Sequence, residues 1–301
     1  MTYTGTGRVS QDTGYWTGSF SYQAPYMSSP LVISMGTGPD SNGISWIIEQ
    51  LVGWDGPDVS GQVIQRAADQ GAYPAAQYYA ARTMTLTLRA SCPDQYTRDL
   101  ARALLNQVLP VNDLCQFNYN EPIAKMAYVR RSGKISETYD NLCEVDFSIL
   151  MVAPDPRKYS QQIYASASTV GTAPNPLTIP ATVPLGLNGG VAPGIIQVTN
   201  PGTYETRPDM VVWGPIVGPA ITLLQTGQTV SYWNPTVTLR SGDQLLIDFD
   251  ARQSFLNGVY VPADIISGWF VLSPGSNSLM LFSQGGGAGG QLTAAYQAAW
   301  I

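Results

Sequence analysis

The spacing of apolar positions divides the chain into short alternating runs, interrupted once by a helical one. Residues 143–151 alternate Cys143, Val145, Phe147, Ile149 and Met151 with the mostly polar Glu144, Asp146 and Ser148, the period of two expected of a strand with one buried face. Residues 82–90 do the same. Met84, Leu86 and Leu88 point one way; Thr83, Thr85, Thr87 and Arg89 point the other, forming a face that tolerates water or the polar edge of another subunit. Residues 31–35 and 45–52 read as two further strands, and the turn-forming GPDSNG at 38–43 between them predicts a hairpin. Residues 15–22, 115–119 and 123–131 supply three more, after which Ser132-Gly133 turns the chain and 134–138 return it. Between 93 and 110 the period changes. Pro93 suits a first helical position, Asp94 and Asp99 complement a positive helix end, and Tyr96, Leu100, Leu104 and Val108 recur every four residues until Pro110 stops the run. Residues 60–79, polar and rich in Gly and Ala, read as an extended loop or irregular edge. The expectation for this half is a mainly antiparallel β domain with one helix packed on its sheet.

At 153–159, APDPRKY, the chain changes character. Pro154 and Pro156 each remove a backbone donor and bias the preceding residue toward an extended conformation, so the strand before them must stop. From 161 to 204 there is no charged side chain. This predicts a domain spanning 1–158, a Pro/Gly/Ala-rich spacer over 159–193 with an edge strand at 179–183, and a second domain over 194–301. In the second domain, strands over 195–198, 210–213, 220–224, 236–240, 244–250, 254–260, 268–272 and 278–282 are divided by Gly, Pro, Asn and Asp turns, with no helical period. That pattern predicts a two-sheet sandwich of jelly-roll type. The glycine-rich 285–290 leads into an uncharged 292–301, read as a packed arm.

Composition narrows what such a chain does. Charged residues make up 12% of the 301, about half the usual share, which suits either an extracellular life or a surface packed against partners. The net charge of -6 and the absence of a basic stripe argue against nucleic acid binding; the densest basic group, Arg130, Arg131 and Lys134, reads as a solvated hairpin tip. With no histidine there is no Ser/His or Cys/His catalytic pair, and Cys92, Cys115 and Cys143 read as free thiols made in a reducing compartment. No basic-then-apolar start resembles a signal peptide, and no apolar stretch is long enough to cross a bilayer, so synthesis in a cytoplasm is expected. No glycine loop between strand and helix would hold a phosphate, so no cofactor is expected.

Some residues carry a sharper question. Asp248 and Asp250 lie opposite the buried face of Leu245, Ile247 and Phe249, and two near carboxylates suit calcium or glycoside hydrolysis. Neither the further oxygen ligands nor a cleft is visible, and a solvated face beside Arg252 is the better reading. Trp54, in GWDGPD at 53–58, either covers the end of a sheet or offers a ring to a sugar or partner. Trp213, Trp233 and Trp269, with Tyr232, are the candidates for a sugar-stacking platform, which makes a carbohydrate-binding or receptor-binding module the main alternative and a cell-wall glycan hydrolase the third. No catalytic residue, metal ligand or cofactor site is assigned.

Four stretches, in order, resemble a known family: GWDGPD at 53–58; YYAARTMTLTL at 78–88; VAPDPRKYS at 152–160; and LRSGDQLLIDFD at 239–250, followed by Leu256-Asn257-Gly258 and GWFVLSPGSNSL at 268–279. Together they look like the distal tail proteins of long-tailed, non-contractile bacteriophages, the minor tail proteins of actinobacterial phages in particular. The resemblance implies an N-terminal domain of tail-tube type, assembled as a six-membered ring, and a C-terminal galectin-like sandwich. It implies a structural virion protein at the distal end of the tail, joining the tail tube protein to the tail-tip hub that carries host recognition, with the tape measure protein a further neighbour. No enzymatic role transfers. Trp54, Asp55, Arg82 and Tyr159 fall in the matching stretches and are the candidate ring or junction contacts.

Overall fold

The computed structural model describes residues 17–73, 75–169, 194–284 and 289–301. The chain divides into two compact units, Met1–Gln161 with Ile301, and Gln162–Trp300.

In the first unit the order is β1 (Thr17–Tyr22), β2 (Leu31–Met35), β3 (Ser45–Val52), four two-residue strands β4 (Val59–Ser60), β5 (Ile64–Gln65), β6 (Ala72–Tyr73) and β7 (Tyr78–Tyr79), then β8 (Arg82–Ser91), α1 (Gln95–Val108), β9 (Cys115–Asn120), β10 (Ala124–Arg131), β11 (Ser136–Tyr139), β12 (Glu144–Ala153) and β13 (Lys158–Thr169). The pairings described for it are antiparallel. One layer runs β2-β1-β9-β10 and the other β3-β8-β12-β11. β10 serves both: residues 124–129 pair with β9, Arg130 and Arg131 with β12, and Lys125 and Met126 with β13. Between the layers lies one buried cluster that includes Phe20, Trp46, Leu86, Phe117 and Phe147, with α1 packed against β1, β2 and β8.

Several expectations are corrected here. The two strands around GPDSNG do not pair with each other; β2 pairs with β1 and β3 with β8. The turn itself closes as a narrow hairpin, with Pro39 bridging Ser45, the Asp40 amide donating to the Ile44 carbonyl and the Gly36 amide to that of Trp46; the Asp40 carboxylate accepts from the Asn42 and Ile44 amides and the Trp46 indole, and beyond this tip the two strands part to separate layers. The return after Ser132-Gly133 pairs with β12, not β10. In α1, Asp94 is the N-cap, accepting from the Thr97 amide at 2.7 Å, and Pro93 stands before it. The buried stripe is Thr97, Ala101, Leu105 and Val108, whereas Tyr96 is 79% exposed. The helix has turned by one residue because small Thr97 and Ala101 permit close approach to the sheet, and amphipathic Tyr96 keeps its ring in water.

The second unit begins within β13, inside the stretch expected to be spacer: residues 158–169 are strand, and Tyr164 stacks on Tyr296 at 5.6 Å. The expected edge strand at 179–183 lies outside the described residues. The unit continues with β14 (Gly194–Asn200), β15 (Asp209–Trp213), β16 (Ile216–Val217), β17 (Pro219–Leu223), β18 (Gln228–Ser231), β19 (Thr238–Leu239), β20 (Gln244–Asp248), β21 (Gln253–Leu256), β22 (Val259–Tyr260), β23 (Gly275–Ser283) and β24 (Gln291–Trp300). One sheet contains β24-β15-β20-β21-β22, the other is β14-β23-β17-β18, and both feed one buried cluster.

The expected C-terminal arm is instead strand β24, paired with β15 and burying Leu292, Ala294, Tyr296 and Ala298. Residues 285–288 are outside the described set. The expected strand at 254–260 splits into a hairpin because Asn257 and Gly258 adopt positive φ of 49° and 84°, as a tight two-residue turn requires. Residues 268–272 are not a strand; only Leu272 makes a bridge, with Thr206.

The helix register is testable by urea unfolding. Leu105→Ala is expected to cost about 2–5 kcal/mol, whereas Tyr96→Ala, on the wet face, should stay within about 0.5 kcal/mol.

Candidate functional site

Between β3 and β8 the chain leaves the first unit's core and returns. β4 pairs with β7, and β5 with β6, so residues 58–80 form a nested antiparallel ribbon rather than the polar loop expected. Among its polar residues it exposes an apolar set: Val59, Val63, Ile64, Tyr73 and Tyr78 are all more than half exposed. The Ala80 amide donates to the Asp58 carbonyl at 2.8 Å, closing the base.

Below that base sits Arg82, wholly buried. It shares the parity of Met84, Leu86 and Leu88, so β8 drives it into the interior. Its guanidinium Nη1 donates to the carbonyls of Trp54 at 2.7 Å and Gly53 at 3.4 Å, while Nε and Nη2 donate to the Pro156 carbonyl at 3.0 and 2.8 Å. One side chain thus ties the start of the ribbon to the proline segment through which the chain exits. Gly53 makes this approach possible: at φ 87° its Cβ would stand 2.2 Å from the Thr83 carbonyl oxygen.

Lys158, also buried, donates from Nζ to the Trp54 carbonyl at 3.1 Å and lies 5.3 Å from the centre of the Trp54 ring. The indole donates to the Glu121 carboxylate and packs edge-on against Phe117 and Tyr119. Burial, then proximity to Arg82 and Lys125, pulls the Lys158 ammonium down from 10.5 to about 8. Arg82 is lowered by burial too, against the favourable charges of Asp55 and Glu121. Burial pushes the Glu121 carboxyl up, but its bond from Lys125 at 2.5 Å and the Trp54 bond outweigh that and hold it below its usual value. At the exit, burial also acts to raise Asp155, yet the bonds from Arg157 and from the Tyr159 hydroxyl, the latter at 2.6 Å, hold it low.

The four candidate contacts therefore fall in one neighbourhood with different roles. Trp54 and Arg82 are interior, so neither offers its side chain to a partner; Asp55 is exposed, and Tyr159 is half-buried on β13. Lys158 and Glu121 went unremarked in the sequence. The available signal was Lys158 standing among prolines beside a strand whose core-facing parity includes Arg82.

The threonine and arginine face of β8 is outward, as expected, but β8 is flanked by β3 and β12 on both sides and offers no free backbone edge. Arg89 holds Asp146 by two bonds, at 2.8 and 2.9 Å, and also meets Glu49 and Asp140. In the second unit, the aspartate pair does not share a strand face. Asp248 accepts from the Asp250 and Ala251 amides, so the chain turns, and Asp250 pairs with Arg207 at 2.6 Å. Among the described residues no group of three acidic, Cys or His side chains could hold a metal ion. The three tryptophans serve separate surroundings. Trp269 packs edge-on against Phe249, Trp233 donates to the Gly218 carbonyl and meets Phe282, and Trp213 lies on β15, 38% exposed.

Set beside known proteins, the fold is that of phage tail parts. Residues 201–300 match the family model described as siphovirus-type tail component, C-terminal domain. The chain is similar in fold to the SPP1 Dit (gp 19.1) protein, a paradigm of the hub adsorption apparatus in Gram-positive-infecting phages: TM-score 0.59 at 16% identity, covering 85% of this chain and 94% of that one. It is similar also to chains of the phage P2 baseplate in its activated conformation, with Ca and with Sr. Both give a TM-score of 0.54 at 10% identity, covering 93% and 94% of this chain and 97% and 98% of those. No curated protein matches it at a significant level. The segment 201–300 is thus related to tail components of siphoviruses, and the mainly β architecture with one packed helix agrees with such proteins along most of the chain.

The buried lysine makes a signed prediction. An unfolded lysine keeps its proton to about 10.5, whereas folded Lys158 releases it near 8, so between these values the unfolded chain binds more protons and stability climbs with pH. Lys158→Met, which leaves the Trp54 carbonyl bonded to Arg82, should remove that climb and be more stable than the parent by about 1 kcal/mol or more at pH 7. Urea unfolding of both proteins at pH 7, 8.5 and 10 checks it; a parent-minus-variant difference that does not change with pH would contradict it.

Proposed function

We propose that this chain is a non-catalytic structural component of a bacteriophage tail, at its distal end, acting as an adaptor between the tail tube and the tail-tip hub. The observation that carries the reading is the match of residues 201–300 to siphovirus-type tail components, together with fold likeness to Dit and baseplate chains over most of both partners. The site supports it by what it is built to do. Arg82 and Lys158 use their hydrogen bonds on backbone carbonyls, which fixes the base of a ribbon whose flanks are apolar and exposed. A rigidly based, partly apolar projection suits a protein neighbour, since ordering costs little when the base is already held.

In this reading the working form is a closed ring of six copies built chiefly by the first unit, with the tail tube, hub and tape measure proteins as its neighbours. The ribbon, rather than an edge of β8, carries the contact between copies, because both edges of β8 are already paired. Head-to-tail contacts of this kind close when the rotation permits. The second unit is a galectin-like sandwich. A sugar-binding role for it is the weaker alternative, because Trp213, Trp233 and Trp269 make no shared platform.

Imaging the protein in the intact particle tests this: six copies about an axial channel support it, and a single central copy or a peripheral fibre-bound trimer overturns it. A second test shortens the ribbon by joining Ser60 to Tyr78 through Asn-Gly, a two-residue turn that suits the β4–β7 register. The shortened protein should melt within about 3 °C of the parent yet fail to complement tail assembly. Unimpaired assembly would remove the ribbon from the contact.

A further inference from the structure

Beyond the last pair of the β8–β12 ladder, Ser91 with Glu144, the next residues in register are Cys92 and Cys143. The register persists to that point, since the Cys92 amide donates to the Cys143 carbonyl at 2.8 Å. Residues directly opposite in an antiparallel pair project to the same face, and theirs is the core face: Cys92 continues Leu88 and Ala90, and Cys143 continues Val145 and Phe147. The Cys143 thiol already reaches across, with Sγ 3.8 Å from the Pro93 carbonyl oxygen, directly after Cys92. Opposed residues stand about 4.5–5.5 Å apart at Cα, inside the span of about 4.4–6.8 Å that a disulfide bridges. Both thiols are free as the chain stands, and the third, Cys115, is buried on β9 with its thiol directed to the Ser21 carbonyl.

We propose that Cys92 and Cys143 are a latent cross-strand disulfide site, closed by a disulfide oxidant once the protein leaves a reducing compartment, and that Cys115 takes no part. The order of events follows from access. Cys143 is only half-buried and is the first to react: its thiolate attacks one sulfur of a small-molecule disulfide, forming a mixed disulfide and expelling one thiolate. The Cys92 thiolate then attacks the Cys143 sulfur and expels the second. Two protein thiols lose two protons and two electrons, and the oxidant is reduced to two thiols. Burial, then the nearby Cys143 and Asp40, pushes the Cys92 thiol up to about 11, so the second step is slow at neutral pH. The bond would join the chain entering α1 to the start of β12 and close a loop of about 50 residues, a length at which restricting the unfolded chain is effective. Its timing, after release of particles from the cell, rests on the proposed function; the chemistry does not.

The full chain is incubated with oxidised glutathione at pH 8 and measured by intact mass, by non-reducing peptide mapping and by thermal melting with and without reductant. The expected result is a loss of about 2 Da, a Cys92–Cys143 linked peptide, and a Tm higher by about 5 °C or more than that of the reduced protein. Cys115 should be alkylated only after denaturation. Cys143→Ser should abolish the linkage and leave Cys92 a thiol. Free thiols under excess oxidant, a stable glutathione adduct at Cys143, a bond to Cys115, or disulfide-linked dimers would each overturn the proposal, whereas a clean bond in a protein that forms no ring would leave it standing.

Discussion

Arg82 holds together two pieces of backbone that share no ladder with each other, Gly53-Trp54 and Pro156. Leaving a fold's regular elements exposes carbonyls that must be paired wherever the departure is buried. Here the chain departs at Gly53 and Trp54 to build the ribbon and again at Pro156 to leave the first unit, where proline has removed a donor. A guanidinium, with five donors in a rigid fork, pairs carbonyls from both departures at once. Lysine could not, because its donors radiate from one atom; Lys158 accordingly takes a single carbonyl and rests on an aromatic face. The arrangement places two cations in the interior, and burial, followed by the repulsion of Arg82 and Lys125, outweighs the attraction of Glu121 and Asp55, which is why the lysine gives up its proton so readily.

That economy shapes the rest of the first unit. With the clamp fixed, the ribbon can stay narrow, two short pairs with exposed apolar flanks, without needing a core of its own. A cluster of ion pairs stands around Arg89 on the outer face, where Glu49 is raised by burial and by its neighbour Asp146 despite the arginine. Three carboxylates around one guanidinium leave that face acidic and wet, a poor place for close subunit contact. Low overall charge and apolar projections thus divide the surface into regions suited to water and regions suited to a partner.

The second unit meets the same accounting through its turns. Asp264 accepts from the Ser231 hydroxyl and from the amides of Trp233 and Asn234, joining the loop after β22 to the end of β18. Trp233 is consumed in that junction. Its ring is a structural part, as are those of Trp269 and Tyr232, and the aromatic rings left exposed, Trp213, Tyr260 and Phe282, stand on three different strands, β15, β22 and β23. Carboxylates serve turns elsewhere in the unit as well, Asp248 by accepting from the Asp250 and Ala251 amides.

Strand positions in both halves were legible in the chain because burial on one face imposes a period of two that needs no knowledge of the partner: β2, β3, β8, β12 and β23 lie where alternation puts them. The end of β12 at Ala153 was legible for a similarly local reason, the loss of donors at two prolines. Partners were not. Whether β3 pairs with β2 or with β8, whether α1 turns Leu100 or Ala101 to the sheet, and whether 291–300 is an arm or a strand depend on residues far away in sequence, whose proximity only folding creates. Arg82 shows the boundary between the two kinds of information. Its parity with Met84, Leu86 and Leu88 was there to be read, yet the chain offered it only as a candidate contact; that it points inward, at Gly53, Trp54 and Pro156, and so turns a buried charge into a clamp, was decided by tertiary structure, because hydrogen-bond partners are set by distance in space and not along the chain.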